Sequence, residues 1–265
     1  SHIFLVTGMA AGFAGLFGTP IAAVFFAMEV LTAGALEYQA LLPAVTAAFT
    51  ASAAAQFLGL EKFTFALTGK MDLAFSDMWR FLLLGILFGV VGGAFAWTLK
   101  YMKNILASHW KQPVIRIFTM GLILSVLLLL LYKGRYAGLG TNLIHASFYG
   151  EEILSYDWIL KFLLTVLTLA AGFQGGEVTP LFSIGASLGV VAGPILGVPS
   201  EIAAALGYAG VFGSATNTFL APVLIGTEVF GSAYLPHFFL VCAFAYLFNL
   251  NKSIYSLQKT SDVHK

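Results

Sequence analysis

Charged side chains are scarce in this sequence. Of its 265 residues, 9% are Asp, Glu, Lys or Arg and 59% are hydrophobic, whereas about a quarter of a soluble domain is charged. This composition excludes an ordinary soluble domain, and a net charge of +1 offers no basic surface to a nucleic acid. The single cysteine, Cys242, excludes an intrachain disulfide. Its apolar surroundings predict a buried packing thiol.

Catalytic and metal-binding motifs are also missing. The five histidines lack a metal-ligand spacing such as HExxH, and no Ser-His-Asp or Cys-His pattern, P-loop or dinucleotide-binding loop occurs. We therefore expect no cofactor, no metal site and no enzymatic activity. The sequence begins at Ser1 without a Met or a basic leader segment. We expect it to be a fragment that lacks its N-terminal portion.

Long apolar runs are what the sequence does contain. Phe81–Leu99 and Ile117–Tyr132 carry no charge and approach the roughly 20 residues that span a bilayer as a helix. Other apolar runs are interrupted by Gly, Pro or Thr. The sequence therefore predicts an all-α polytopic membrane protein with short and broken helices, in a single transmembrane domain over residues 1–265.

Lysine and arginine counts predict the orientation, because short cytoplasmic loops are enriched in both. The loop between the two clean spans holds Lys100, Lys103, Lys111 and Arg116 and no acid. We place this loop in the cytoplasm and the charge-balanced segment Glu61–Arg80 outside. The C-terminal tail should also be cytoplasmic, on the basis of Lys252, Lys259 and Lys265.

An internal repeat occurs at the two ends of the chain. Gly8–Leu31 and Gly207–Phe230 align without a gap, and both copies contain a Gly-rich helix, a break and a second apolar helix that ends in Glu-Val. Such repeats are typical of transporters, whose sites lie near broken helices at the membrane midplane. The paired glutamates, Glu29 and Glu228, could belong to a transport path. Their symmetry favours a structural role, in which each closes a helix end through buried hydrogen bonds.

Twelve helices are expected along the chain, and glycines spaced four apart predict close helix packing in two of them. These glycines are Gly85, Gly89 and Gly93, and Gly185, Gly189 and Gly193. The expected helices are Ile3–Phe17, Ile21–Leu31, Tyr38–Gly59, Asp77–Lys103, Val114–Tyr132, Asn142–Tyr149, Trp158–Gly172, Thr179–Gly193, Glu201–Gly213, Leu220–Phe230, Pro236–Phe248 and Ser253–Thr260.

The segment Gly175–Pro180 is the strongest candidate site. Its carboxylate, Glu177, stands between uncharged apolar stretches, and an ionisable group in hydrocarbon costs roughly 2.5–3.5 kcal/mol on insertion scales. The following helix should begin here, and the unpaired amides of a helix N-terminus bind anions. Glu177 could carry a proton, since burial favours the neutral carboxyl. The alternative is an acid that merely offsets the helix dipole.

Four weaker candidates are polar side chains near predicted helix ends. The Tyr255 phenol could donate a hydrogen bond to an anion at the mouth of a path, although such a tyrosine is more often an interfacial residue. Thr179 offers a hydroxyl beside Glu177. Asn217 and Thr218 lie in the break of the second repeat copy. We expect them either to face a cavity or to cap a helix.

Three segments resemble the CLC family of chloride channels and proton-coupled anion antiporters. Gly12–Glu29 resembles the family's Gly-rich helix, turn and Glu-ended helix. Gly175–Pro180 falls at its anion-coordinating loop, and Asn251–Tyr255 resembles its final helix, whose tyrosine coordinates the anion. The resemblance implies inverted repeats with short tilted helices and a homodimer with one pore per subunit.

The resemblance also implies roles for individual residues. The amides of Glu177 and Val178 and the hydroxyl of Tyr255 would face the anion, and Gly176 and Thr179 complete the expected anion-binding set. The family's selectivity loop and gating glutamate would both precede Ser1. The chain would then be the C-terminal two-thirds of a CLC protein.

Two departures from the family pattern narrow the expected function. The internal proton-transfer glutamate of many chloride/proton antiporters would fall at Val30, and the usual Ile-Phe-Ala of the anion loop is Glu177-Val178-Thr179. Both changes resemble the bacterial fluoride/proton antiporters of the family. We predict a fluoride exporter of the bacterial plasma membrane, driven by inward proton movement with Glu177 as the proton-coupling residue. A chloride-selective channel or antiporter is the alternative.

Two further classes of protein fit the sequence less well. An intramembrane hydrolase that used Glu177 would need a paired acid, a metal or a nucleophile nearby, and the sequence offers none. A structural subunit without transport activity is the other class.

Overall fold

Helices dominate the molecule. The structure, a computed structural model, describes residues 2–69 and 71–260, and Lys70 and Lys265, which contributed to the predicted orientation, lie outside this part. The described residues form α1 (His2–Phe17), α2 (Pro20–Glu29), α3 (Leu41–Phe57), α4 (Met78–His109), α5 (Pro113–Leu130), α6 (Thr141–Tyr149), α7 (Asp157–Ala171), α8 (Val178–Ile195), α9 (Ser200–Thr216), α10 (Leu220–Phe230) and α11 (Leu235–Leu247). Two short strands, β1 (Thr32–Ala33) and β2 (Lys259–Thr260), pair in parallel.

Four of the helical segments are long and apolar enough to cross a membrane. They are Tyr38–Phe57, Phe75–His109, Pro113–Leu130 and Val178–Ile195. The α5 helix exposes large apolar side chains along its length, among them Leu129 and Leu130, as expected of a helix that contacts lipid. Most of α8 is instead enclosed by protein. The predicted all-α, multi-pass membrane fold is confirmed.

Glycine stripes bring the central helices close together. A Cβ atom on Gly85 of α4 would lie 2.8 Å from the carbonyl oxygen of Val241 in α11, and one on Gly185 of α8 would overlap the carbonyl group of Gly207 in α9. Only the absence of a side chain permits this approach. The predicted packing role of both glycine series is therefore confirmed.

The two repeat copies cap each other. In the first copy α1 breaks at Gly18-Thr19 and resumes as α2, and in the second α9 breaks and resumes as α10. Glu29, at the end of α2, accepts hydrogen bonds from the backbone N–H groups at the start of α10, those of Phe219, Leu220 and Ala221, at 2.5–3.2 Å.

Glu228, near the end of α10, does the same for α2. Its carboxylate accepts hydrogen bonds from the N–H groups of Ile21 and Ala22 at 3.3 and 2.7 Å. Each glutamate thus satisfies the unpaired donors of the partner helix and complements its dipole. The structural role predicted for the two glutamates is confirmed.

The helix predicted over Ser253–Thr260 is wrong. Leu250 and Asn251 have positive φ angles of 60° and 51°, which stop a right-handed helix from continuing beyond α11. The N–H of Ile254 then donates to the Ala215 carbonyl of α9 at 2.9 Å, and the N–H of Lys259 donates to the Leu31 carbonyl at 3.0 Å. These two donors thus bond to distant elements, and the Tyr255 N–H bonds to the Ser253 hydroxyl at 3.1 Å, so a regular helix does not form.

A buried carboxylate fixes the loop between α5 and α6. Asp157, at the start of α7, is fully buried and accepts hydrogen bonds from Arg135 at 2.7 Å and from the Tyr136 hydroxyl at 2.6 Å. The hydrogen bond to Asp157 raises the pKa of Arg135 above its ordinary value. Asp157 therefore ties the loop that carries Arg135 and Tyr136 to the start of α7.

Candidate functional site

The N-terminus of α8 opens at the end of a glycine-rich loop. Glu177 is the residue before the first helical residue, Val178, and the N–H of Leu181 donates to the Glu177 carbonyl at 3.3 Å. The amides of Val178 and Thr179 precede this bond, so they have no carbonyl of the helix to bind. Pro180 has no N–H to satisfy at all. The loop therefore presents unpaired amides and a carboxylate together.

The Glu177 carboxylate forms an ion pair that the sequence did not suggest. Lys103, in the last turns of α4, lies 3.5 Å from Glu177 between Nζ and Oε1, with 46% of the lysine side chain and 21% of the glutamate side chain exposed. Helix α4 runs six residues beyond its predicted end at Lys103. The lysine was predicted as the last residue of its helix and was counted among the charges of the following loop, whereas it lies within α4 and its side chain reaches Glu177.

A cavity of about 430 Å³ adjoins this ion pair. We call it the basic cavity, because two cationic side chains and one carboxylate line it. Its lining residues are Lys103, Asn104, Ala107, Arg116, Leu169, Ala170, Gly172, Phe173, Gln174, Gly175 and Glu177. It opens on the same side as the α4–α5 turn, which the charge counts assign to the cytoplasm. Of the predicted site residues, Glu177 lines this space.

Arg116 has a fixed place in the basic cavity. Its Nε donates to the Ala171 carbonyl at the end of α7, at 2.9 Å. Gly172, the next residue, has a φ of 105° and ends the helix in a left-handed conformation. The guanidinium thus binds an unpaired carbonyl of a helix C-terminus, and it lies beside the loop that leads to Glu177.

Tyr255 lies half-buried in the segment that follows α11. Its ring packs near Phe26 of α2, with 6.3 Å between the ring centroids. Burial, and to a smaller extent the negative charge of Glu177, raises the pKa of the Tyr255 phenol above its ordinary value. The hydroxyl therefore keeps its proton and remains a hydrogen-bond donor in the electrostatic field of Glu177.

Polar side chains at the break between α9 and α10 hold the Tyr255 segment in place. Asn217 ends α9 in a left-handed conformation, accepts a hydrogen bond from Asn249 at 2.6 Å and donates one to Gln258 at 3.2 Å. Gln258 in turn donates to the Val30 carbonyl at 2.9 Å. Of the two roles expected for Asn217, the structural one is observed.

Thr218, the other polar residue of this break, pairs with a neighbour. Its hydroxyl lies 2.8 Å from that of Thr216, and both side chains are buried. Val30 is buried as well, so the position where the resemblance places a proton-transfer glutamate holds an apolar side chain. Neither Thr218 nor Val30 has a side chain that could carry a proton along an ion path.

Six aromatic rings that the sequence did not single out form a continuous row with Tyr255. The row leads from Tyr255 to Phe63 in the segment after α3, through contacts of 3.9–6.4 Å between ring centroids. Its members are Tyr255, Phe26, Phe13, Phe17, Phe182, Tyr208 and Phe63. Phe182 and Tyr208 stack at 3.9 Å. The sequence contains 25 phenylalanines, but their spacing has no periodicity from which this row could have been predicted.

A small cavity of about 100 Å³ lies beside the rings of this row. The rings of Phe17, Phe182 and Tyr208 line it, together with Thr19 and Glu61. The Thr19 hydroxyl is buried and has no hydrogen-bond partner among the described residues. The row thus borders an aromatic cavity beside Thr19, and the basic cavity beside Glu177 shares no lining residue with it.

The family profile described as "voltage gated chloride channel" matches residues 1–250. Among curated proteins, the chloride/fluoride channel protein of Pseudomonas syringae pv. tomato is 34% identical over 264 residues, which is 97% of this chain and 58% of the relative. The H(+)/Cl(-) exchange transporter ClcA of Yersinia pestis is 25% identical over 246 residues, which is 86% of this chain and 50% of the relative.

Two solved structures share the fold. The crystal structure of a CLC-type fluoride/proton antiporter is 58% identical with a TM-score of 0.94, over 96% of this chain and 64% of the other. A eukaryotic CLC transporter is 21% identical with a TM-score of 0.71, over 96% of this chain and 45% of the other, and this likeness concerns the fold alone. The chain thus spans between about half and two-thirds of the length of these relatives.

Proposed function

Because the chain belongs to the voltage gated chloride channel (CLC) family, we propose that it is the transporting part of a membrane antiporter that exports fluoride in exchange for protons. The observation that carries the proposal is Glu177, a carboxylate that stands beside unpaired amides at the start of α8. The similarity to a structure named as a CLC-type fluoride/proton antiporter, at 58% identity, supports the choice of fluoride.

The anion site consists of backbone donors from one element and a hydroxyl from another. The amides of Gly176, Glu177 and Val178 and the hydroxyl of Thr179 bind the anion from the α8 side, and Tyr255 donates its hydroxyl from the segment after α11. Neutral donors of this kind bind an anion weakly enough to release it. Two observations support this site. The amides at the start of α8 are unpaired, and burial together with the charge of Glu177 raises the pKa of the Tyr255 phenol, which keeps its proton as a donor.

Glu177 is the proton carrier of this mechanism. It lies at the wall of the basic cavity, where a proton can leave to water, and it directly precedes the first residue of α8. Val30 is apolar and buried, so the proton does not pass through that position. The carboxylate and the anion-binding donors then occupy the same loop, which couples the two ions through one local site.

The wider assembly follows from the family. We propose a homodimer with one transport path in each subunit, in a bacterial plasma membrane, with transport rather than catalysis as its activity. The domain over residues 1–265 carries the repeat copies 8–31 and 207–230, related as inverted repeats. The capping of α2 by Glu228 and of α10 by Glu29 supports a symmetric relation between the copies.

Ion flux from liposomes tests the proposal. The full-length gene product is reconstituted, and efflux of fluoride and of chloride is recorded with ion-selective electrodes while external pH is followed. We expect fluoride efflux to exceed chloride efflux by at least about tenfold, with proton uptake in step with fluoride. Chloride efflux at the fluoride rate would replace fluoride by chloride as the substrate. Fluoride efflux without proton movement would indicate a channel.

A further inference from the structure

Lys103 is the residue near the proposed site whose position calls for an explanation. It reaches from α4 to the carboxylate of Glu177 in a different part of the chain, yet the N–O distance of 3.5 Å is longer than a direct hydrogen bond between charged groups. An ammonium group has three donors, and this contact engages one of them loosely. The side chain is also half-exposed to the basic cavity.

The charges around Glu177 come from three elements. Lys103 projects from α4 and Arg116 from α5, both into the basic cavity, and the neutral phenol of Tyr255 comes from the segment after α11. Arg116 is already bonded to the Ala171 carbonyl through its Nε. Lys103 is therefore the cation that can change partner, because its long flexible stem lets the ammonium move between nearby acceptors.

We propose that Lys103 exchanges partners during transport, pairing with the Glu177 carboxylate in one state and with the incoming anion in the other. This inference rests on the proposed function. When a proton reaches Glu177, the carboxyl becomes neutral and its attraction for the ammonium falls. The ammonium then binds a fluoride ion in the basic cavity and places it beside the amides at the start of α8.

The return step restores the first state. Fluoride moves from the amides toward the aromatic row, and Glu177 releases its proton into the basic cavity. The carboxylate is charged again and pairs with Lys103, which keeps a second fluoride from binding before the next proton arrives. The Glu177 carboxylate and the fluoride ion thus compete for a single ammonium, and protonation of the carboxylate removes it from this competition. Lys103 acts as a positioning residue that makes the binding of the proton and of fluoride interdependent.

Fluoride affinity provides the first test. A unit charge about 4 Å from an anion in a water-filled space contributes an attraction that corresponds to roughly a fivefold change in binding. We therefore expect Lys103→Gln to raise the KM for fluoride about fivefold in liposomes, while Lys103→Arg, which keeps the charge, stays within about twofold of the wild type. Lys100→Gln is the matched control, since Lys100 lies on the same helix but does not line the basic cavity.

Binding in detergent tests the partner exchange itself. The dissociation constant of fluoride is measured by calorimetry for four forms: wild type, Glu177→Gln, Lys103→Gln and the double variant. Glu177→Gln mimics the neutral carboxyl and should bind fluoride about fivefold more tightly than the wild type above pH 7. The gain should disappear in the double variant, because the ammonium that provides it is gone. This readout does not depend on turnover.

The outcomes separate the two proposals. Suppose that the wild type exchanges fluoride for protons. Partner exchange is then overturned if Lys103→Gln keeps the wild-type KM for fluoride, or if the tighter fluoride binding of Glu177→Gln survives in the double variant. In either case the proposed function stands. If the wild type moves no fluoride against protons, the proposed function fails and this inference fails with it.

Discussion

Glu177 has a position that no other carboxylate among the described residues shares: it lies at a helix start, beside a cavity and next to a lysine. Replacing it by Gln keeps its size and removes its titration. We expect Glu177→Gln to abolish proton movement coupled to fluoride efflux, because the proton then has no carrier in this loop. The measurement is the ratio of protons to fluoride in liposomes.

A control for this variant is Glu152→Gln, which changes an exposed carboxylate of the α6–α7 loop. It should leave the ratio of protons to fluoride unchanged. Coupled transport at the wild-type ratio in Glu177→Gln would remove Glu177 from the proton route and leave it as a residue that offsets the dipole of α8.

A second prediction at the residue scale concerns the stability that the two capping glutamates provide. Glu29 is 5% exposed and binds three amides, whereas Glu228 is more exposed and binds two. Hydrogen bonds to charged acceptors contribute about 1.5–3 kcal/mol each when buried. We expect Glu29→Gln to lower the Tm in detergent by more than Glu228→Gln does. Equal or reversed shifts would contradict the capping account.

At the scale of elements, the close contact of α8 and α9 should be sensitive to one methyl group. Gly185→Ala places a Cβ against the carbonyl group of Gly207, and overpacking of this kind costs about 1–3 kcal/mol. We expect a lower Tm for Gly185→Ala and no change for Gly12→Ala, where a Cβ meets no described atom within 4 Å. A wild-type Tm for Gly185→Ala would mean that the two helices can separate without cost.

Helices were predictable from the sequence where apolar runs, prolines and glycines indicated the same helix boundary. The break at Thr19-Pro20 and the start of α10 at Leu220 both follow from such local signals. The segment after α11 was not predictable, because its backbone donors bond to Ala215 and Leu31 from distant elements. Tyr255 was thus identified as a candidate residue but assigned to a helix that does not form.

In the candidate site, too, features that depend on neighbouring residues were predictable, and contacts between distant residues were not. Glu177 and its helix start were predicted from a continuous stretch of six residues. Lys103 lies 74 positions earlier in the numbering and was interpreted only as a topological charge, since nothing in the sequence pairs it with Glu177. The aromatic row likewise depends on contacts between helices, which a lone phenylalanine does not reveal.

At the scale of the whole molecule, the two repeat copies and the two cavities define one arrangement. The copies cap each other through Glu29 and Glu228, so the short helices α2 and α10 are fixed as a pair. The aromatic row includes Phe26 of α2 and leads from Tyr255 to the aromatic cavity near Thr19. Aromatic side chains therefore pack between the proposed anion-binding residue Tyr255 and this cavity.

The most direct test of fluoride/proton exchange is whether a fluoride gradient drives protons uphill. Liposomes that contain the full-length protein are loaded with fluoride and diluted into fluoride-free buffer at equal pH, with the membrane potential clamped to zero by a potassium ionophore. The account predicts that outward fluoride flow makes the interior more acidic than the buffer until the two gradients balance. An interior pH that stays equal to the external pH while fluoride leaves would contradict it.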